Sequence, residues 1–338
     1  MRALTGISLL CWLLTWQGLA ASQDSALVQD KGTYRVDVRL VQVDAQVINK
    51  KTHQAAGSLK QNDLQVYEDG VQQQIRTFSQ DELPLSVVLL VDLTDTVRPV
   101  LQALSQGAQQ ALQHLKPQDE VAVLVYSAST YLLQDFTTDR SRAAAAIDKA
   151  AHLGSREAAF FNEAVFQSAT YLSASKNPES RRVILWFTDN VSTTPSPEIK
   201  ARQKSLSGKE LHTEKQALEQ LFRTGTVVCT LLKKSMLSDE HERRYRVEMS
   251  VDRSLNPPGD VHYYAQATGG LVVESSDKTV PAKLAELIDD LRLRYTLGYR
   301  PSVAKPQGTF CPIKVELAPE VKKLQKDLIV NARQGYYR

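Results

Sequence analysis

The stretch "SVVLLVDLTDTVRPV", residues 86–100, ends a hydrophobic run on an acid, Asp92, and follows it with hydroxyls at Thr94 and Thr96. A second acid, Asp189, closes another apolar run, "RRVILWFTDN". Two carboxylates with hydroxyls beside them make a hard oxygen site. Such a set suits Mg²⁺, Mn²⁺ or Ca²⁺, with the acids supplying charge and the hydroxyls filling coordination positions. The same residues have a plainer reading. Asp92 then caps the following helix and the threonines satisfy local backbone donors. Asp189 with Asn190 then forms an ordinary turn after a strand.

The metal chemistry requires the two acids to meet, so the elements carrying them matter. Apolar strand-like runs over 86–92, 121–127, 183–188, 226–232 and 271–273 alternate with helix-length segments. Those segments lie near 98–115, 140–152, 161–175, 211–223 and 281–293, and "RSRAAAAIDKAAHL" is rich in strong helix formers. Alternation of this kind implies an α/β fold, a mostly parallel sheet with helices on both faces. Ligands of such sheets bind beyond the carboxyl ends of the strands. If the strands ending at Asp92 and Asp189 are neighbours, their acids converge there.

Both flanks read as β. Residues 34–82 alternate in hydrophobicity and contain "DLQVYEDGVQQQIRTF", a hairpin with Asp69-Gly70 as its turn. Residues 294–338 hold "RYTLGYRP", "GTFCPIKVELA" and "LIVNARQGYY". About four strands from the first flank and three from the last make a β-sandwich of immunoglobulin-like size, with the α/β domain of residues 83–293 inserted in it. Two separate small β subdomains are the alternative. Residues 233–258 are polar, end in Pro-Pro-Gly and read as a surface insertion.

The chain has 338 residues, of which 42% are hydrophobic and 23% charged, so it is globular. A net charge of +3 is too small and too dispersed for nucleic-acid binding. Residues 1–22 read as a signal peptide: Arg2, the apolar run "LTGISLLCWLLTW", then small residues at Ala20 to Ser22. That run is too short for a membrane span, and no second one appears. A periplasmic or secreted protein is expected, with 23–33 as a linker. Lipidation at Cys11 is disfavoured by the bulky Leu10 and by its place in mid-run. Cys229 and Cys311 fall in different predicted domains and read as buried thiols.

At the acid loop the sequence resembles a known family. Asp92-Leu93-Thr94-Asp95-Thr96 is similar to the D-x-S-x-S loop of von Willebrand factor type A domains, and "FTDN" to their later "TDG" strand end. "FNEAVFQSA" resembles the helix after their third loop. The flanks resemble bacterial von Willebrand-related proteins widespread in Acidobacteria. The resemblance implies a metal-ion-dependent adhesion site with Asp92, Thr94, Thr96 and Asp189 as ligands. It also implies an acidic side chain of a protein partner completing the coordination of Mg²⁺, Mn²⁺ or Ca²⁺.

One position departs from that pattern. Ala159 stands where the family has Thr, and Ser155 replaces it only if the loop is rearranged. Asp95 adds charge at a usually small position. Phe160 and Phe161 lie near the loop and serve as partner anchors if exposed. The expectation is a non-enzymatic binding module, adhesion-like. A metal-independent scaffold with a vestigial site is the alternative, and a metal-dependent hydrolase using Asp92 and Asp189 the more distant one. "HERRY", residues 241–245, lacks the second His of a zinc protease motif and reads as a solvated loop.

Overall fold

The computed structural model describes residues 40–338 apart from positions 53, 81, 156, 194, 208–209, 235–238, 242 and 245–256. The expected signal peptide, the linker and most of the insertion over 233–258 lie outside the described residues. Strands β1 (Val41–Asn49), β2 (Leu64–Glu68), β3 (Val71–Gln73) and β4 (Ile75–Gln80) come first. Strands β5 (Leu85–Asp92), β6 (Glu120–Tyr126), β7 (Thr130–Thr137), β8 (Arg181–Thr188), β9 (Val227–Lys233) and β10 (Val272–Ser275) follow. The helices are α1 (Arg98–Leu112), α2 (Arg140–His152), α3 (Phe161–Ser173), α4 (Pro197–Ser207), α5 (Glu214–Thr224), α6 (Val261–Thr268) and α7 (Val280–Arg292). Strands β11 (Tyr295–Tyr299) and β12 (Phe310–Leu317), helix α8 (Pro319–Leu324), then β13 (Leu328–Ala332) and β14 (Gly335–Tyr337) end the chain.

The central sheet runs β10-β9-β8-β5-β6-β7. Its pairs are parallel except for β6 with β7. Strand β5 is buried along its whole length because both faces are covered. Val87, Leu89 and Val91 face Leu101, Leu104, Ile147, Leu284 and Ile288, from α1, α2 and α7. Val88 and Leu90 face Phe161, Val165, Leu221 and Tyr264, from α3, α5 and α6. A fully buried aliphatic side chain contributes about 1.5–3 kcal/mol, so this two-sided burial holds the register of β5 firmly. At one helix crossing a Cβ on Gly107 of α1 would lie 2.4 Å from Pro281 of α7, which only glycine avoids.

Strand β7 was not expected from the sequence. It returns along β6 after a short turn, and its burial is too irregular for a clean alternation. Helices α4, α6 and α8 were also missed; each is short, from 6 to 11 residues.

The flanking strands form two further sheets, β13-β1-β11-β4 and β14-β12-β2-β3. Each draws strands from both flanks, four from each, where the sequence suggested three from the last. Both contribute to one buried cluster that includes Val43, Val66, Leu297, Tyr299, Ile313 and Val315. The turn between β2 and β3 has positive φ at both Asp69 (51°) and Gly70 (79°), as a two-residue type I′ hairpin requires.

A charged joint ties these sheets to the central one. Arg181, at the start of β8, places Nε 3.2 Å from Asp44 of β1. It also donates to the carbonyl of Leu291 at 2.5 Å and to Thr296 Oγ1 at 3.1 Å. Arg294, fully buried, donates to Gln46 Oε1 at 3.0 Å and to the carbonyl of Gly269 at 2.8 Å. Burial pushes the Asp44 carboxyl up, but Arg181, Arg294 and the Thr296 hydroxyl hold it below the usual range. Removing one partner of a buried pair leaves the other charge unanswered, at a cost of about 3–5 kcal/mol. Asp44→Ala is therefore expected to lose roughly 3 kcal/mol of unfolding free energy in urea at pH 7. Because the Asp44 carboxyl is depressed, its contribution holds above the ordinary Asp range and fades as pH falls through the folded value. The deficit of the variant should shrink in acid, and a variant as stable as the parent at pH 7 would rule the joint out as a source of stability.

Candidate metal-binding site

Register places the site. Strand β5 pairs with β6 so that Asp92 lies opposite Tyr126, and with β8 so that Val91 lies opposite Phe187. One step further, Asp92 falls between Tyr126 and Thr188, with Asp189 next in the chain. The neighbouring strands that the acids needed are thus adjacent.

Asp92 is fully buried and its carboxylate is held on both oxygens. Oδ1 accepts from the Thr94 amide at 2.9 Å and from the Thr94 hydroxyl at 2.7 Å. Oδ2 accepts from Tyr126 Oη at 3.0 Å and from Thr188 Oγ1 at 2.8 Å. Tyr126 Oη in turn accepts from Trp186 Nε1 at 2.8 Å. The Thr94 and Thr96 hydroxyls are 3.3 Å apart. Asp189 is buried, with Oδ1 accepting from the Val191 amide at 3.1 Å, and Asn190 behind it has φ of 59°. Burial pushes the Asp92 carboxyl up to about 6, and the neighbouring Asp189 charge adds to the rise against the hydrogen bonds from Thr94 and Thr188.

Asp92 does not cap α1. That helix starts behind Val97 with no side-chain cap. The third loop comes to the site by a different residue from the one the family alignment implied. Ser155 bridges to Thr94 in parallel, its amide donating to the Leu93 carbonyl at 2.8 Å. Ala159 is buried, and its carbonyl accepts from the Thr193 amide at 2.9 Å. The Ser155 hydroxyl accepts from the Glu157 amide at 3.1 Å. Beside Thr94 and Ser155 lies an open depression of about 450 Å³ lined by Asp95, Arg98, Gly154 and Ser155. Arg98 pairs with Asp95 at 2.5 Å and packs so closely on Gly154 that a Cβ there would lie 1.7 Å from its Nη2.

Phe160 and Phe161 do not act as partner anchors. They are 4% and 0% exposed. Phe161 packs edge-on against Trp186, with centroids 4.7 Å apart, and against Tyr126 at 5.9 Å. The apolar face of α3 needs them under the sheet. Asp95 is exposed at the lip of the depression. His241 is likewise not solvated: it is buried, with Nε2 2.8 Å from Ser192 Oγ. Sequence reasoning missed Tyr126 and Thr188, which hold Asp92. It searched for acids, and both hydroxyls sit at the ends of strands read only as core.

The donor chemistry fits a hard divalent cation. Asp92, Thr94, Thr96 and Asp189 could hold one, and two adjacent buried acids are an arrangement that a cation relieves. Among the described residues no group of three or more His, Cys, Asp or Glu is placed to bind a metal, so any such site relies on its hydroxyls.

Residues 87–191 match the family model of the von Willebrand factor type A domain. That match supports a von Willebrand factor type A domain in this chain. It takes in most of β5, all of β6 to β8, and Asp92, Thr94, Thr96 and Asp189. No curated protein matches the chain by sequence. Among solved structures the chain is similar to a von Willebrand factor type A protein from Catenulispora acidiphila, at 11% identity and a TM-score of 0.43, covering 75% of this chain and 72% of that one. It is also similar to the conserved hypothetical protein BatB from Bacteroides thetaiotaomicron, at 14% identity and a TM-score of 0.39, covering 61% and 98%. A third is the von Willebrand domain of the type V pili tip protein Mfa5 from Porphyromonas gingivalis, at 11% identity and a TM-score of 0.40, covering 62% and 94%.

The raised Asp92 has a consequence for stability. Its carboxyl moves from 3.8 to about 6 on folding, so the folded protein holds the proton more tightly than the unfolded chain. The stability this proton confers is full below about pH 4 and is lost as pH rises through 6. The ionised acid then destabilises the metal-free protein by up to roughly 3 kcal/mol. Asp92→Asn in EDTA should unfold at a higher temperature than the parent at pH 8, with the gap closing toward pH 4. A lower midpoint at both pH values would mean that the hydrogen bonds to Asp92 outweigh its buried charge.

Proposed function

We propose that the chain is a bacterial extracytoplasmic binding module of adhesion type. In this reading the carboxyl edge of its central sheet holds a divalent cation, Mg²⁺ or a similar ion. A protein partner presents an acidic side chain to that edge. The observation that carries the reading is the convergence of buried Asp92 and Asp189 with the Thr94 and Thr96 hydroxyls beside an open depression. The bound cation would supply a Lewis-acidic contact for the partner's carboxylate. Asp92 and Asp189 would supply the charge that retains it, and Thr94 and Thr96 its neutral oxygens. The two outer sheets, drawn from both flanks, are read as halves of a split β-sandwich that displays the α/β domain inserted between them.

Two observations favour a second reading, a metal-independent interaction protein with a vestigial site. Ala159 offers no side-chain oxygen, and both oxygens of Asp92 are already satisfied within the protein. The hydrolase reading called for a deep pocket with a second titratable group beside Asp92. Asp189 lies near Asp92, but the depression beside the site is open and Asp92 is not in its lining, and its charged lining residues, Asp95 and Arg98, pair with each other. Among the described residues no helix is long and apolar enough to cross a membrane.

Anything that binds only the folded state raises its apparent stability by mass action, about 2.7 kcal/mol at a hundredfold excess over the dissociation constant. Thermal unfolding in millimolar Mg²⁺, Mn²⁺ or Ca²⁺ should therefore occur several degrees higher than in EDTA. Asp92→Ala and Asp189→Ala should lose that increment. A parent midpoint indifferent to all three ions would leave the metal-independent reading standing.

A further inference from the structure

The joint around Asp44 holds more positive charge than its acid answers. The pleat of β1 turns Val43, Ala45 and Val47 into the cluster shared by the outer sheets. Asp44 and Gln46 therefore face the other way, toward the start of β8. On that face Thr296 pairs with Asp44, and Asn331 with Gln46. One step along the same ladders, Arg333 lies opposite Asp44 and Arg294 opposite Gln46. Three guanidiniums, of Arg181, Arg294 and Arg333, thus act on one carboxylate. Arg181 meets it directly and spends its remaining donors on the Leu291 carbonyl and Thr296. Helix-end carbonyls such as those of Leu291 and Gly269 carry only part of a charge, so a positive surplus remains.

The surplus has a definite location. Both side-chain hydrogen bonds of Arg294, to Gln46 Oε1 and to the Gly269 carbonyl, leave from Nη1. Its Nε and Nη2 are buried, and among the described residues neither has a hydrogen-bond partner. These two nitrogens form one edge of the guanidinium and aim their N–H bonds in parallel, the arrangement that grips an anion through two bonds. Cys229 is within electrostatic reach, but burial pushes its thiol up against the pull of Arg294, so it brings no negative charge. Water would answer the N–H groups but not the charge, and a buried charge without a counter-charge is costly. The surroundings are tight. A Cβ on Gly270 would lie 1.8 Å from the Val228 carbonyl and 3.2 Å from Cys229 Sγ, which favours a monatomic ion over a phosphate.

We propose that the Nε–Nη2 edge of Arg294 is a buried binding site for a small monovalent anion, with chloride the ion of suitable size and charge. The ion would supply a second negative charge to the joint, beside Asp44. It would make the hold of the outer sheets on the central one depend on the anion in the surroundings. This site is separate from the acid edge and independent of any cation there.

The test follows the unfolding midpoint of the full chain while sodium chloride replaces sodium gluconate at a fixed ionic strength of about 0.15 M, so that screening stays constant. The parent should gain about 2–4 °C. Arg294→Met should lose that gain, whereas Arg76→Met, at an exposed arginine of β4, should keep it. Crystals of the parent grown in bromide locate the ion by its anomalous signal, expected beside Nε and Nη2 of Arg294. A gain that survives in Arg294→Met is a surface effect and overturns the site, as does a parent indifferent to chloride. Bromide at exposed arginines alone means an adventitious ion only, and overturns it too. If Arg294→Met does not fold, the bromide signal in the parent decides: a peak on Arg294 upholds the site and its absence there overturns it.

Discussion

A carboxylate shut away from water must be answered by the protein around it, and Asp92 is answered by four hydrogen bonds from three different strands or loops. Burial costs an ionised acid dearly unless donors or a cation meet it. The donors arrive only because β5 lies between β6 and β8 in one fixed register. A slip of one residue would turn Asp92 to the opposite face of the sheet, among Leu101, Leu104 and Ile288. The aliphatic packing on both faces of β5 and the polar arrangement at its end therefore impose the same alignment. Hydrophobic burial supplies the stability, and the acid is placed where stability is spent.

The second charged assembly, around Asp44, works by the opposite electrostatics. There Arg181 and Arg294 outweigh the carboxylate, and the acid sits below its ordinary range. At Asp92 burial and the charge of another acid, Asp189, act in the same direction, and the carboxyl sits above that range. Partly buried Asp44 has its counter-charges built in. Fully buried Asp92 has none among the causes of its shift, which rests instead on burial and the Asp189 charge against its hydrogen bonds.

Much of this architecture was legible in the sequence because continuous apolar runs and helix-forming segments are strong signals. The runs ending at Asp92 and Asp189 were read correctly as strands, and α2 was placed at its observed bounds. What escaped detection had a physical reason in each instance. Strand β7 is partly exposed on the sheet edge and its residues alternate poorly. The exposure of Phe160 and Phe161 stayed open because sequence carries no record of which side of α3 meets the sheet. Tyr126 and Thr188 were invisible as site residues because their role depends on lateral register, which no single strand encodes. His241 seemed solvated because its neighbours are charged, yet its ring meets Ser192 from a distant loop.

The pairing of β1 with β11 and β13, and of β2 with β12, bears on how the polypeptide comes to be folded. About 250 residues of synthesis separate β1 from its partners, a span that makes closure of these sheets slow relative to local contacts. Strands β2 and β3 can close their hairpin early, but β1, β4 and the other edge of β2 wait until residues 295–337 have followed. The α/β segment, with its sequentially neighbouring helices and strands, can assemble in the meantime. The outer sheets are thus the last to form, and an early, unpaired β1 is the part of the nascent chain that most needs shielding from association with others.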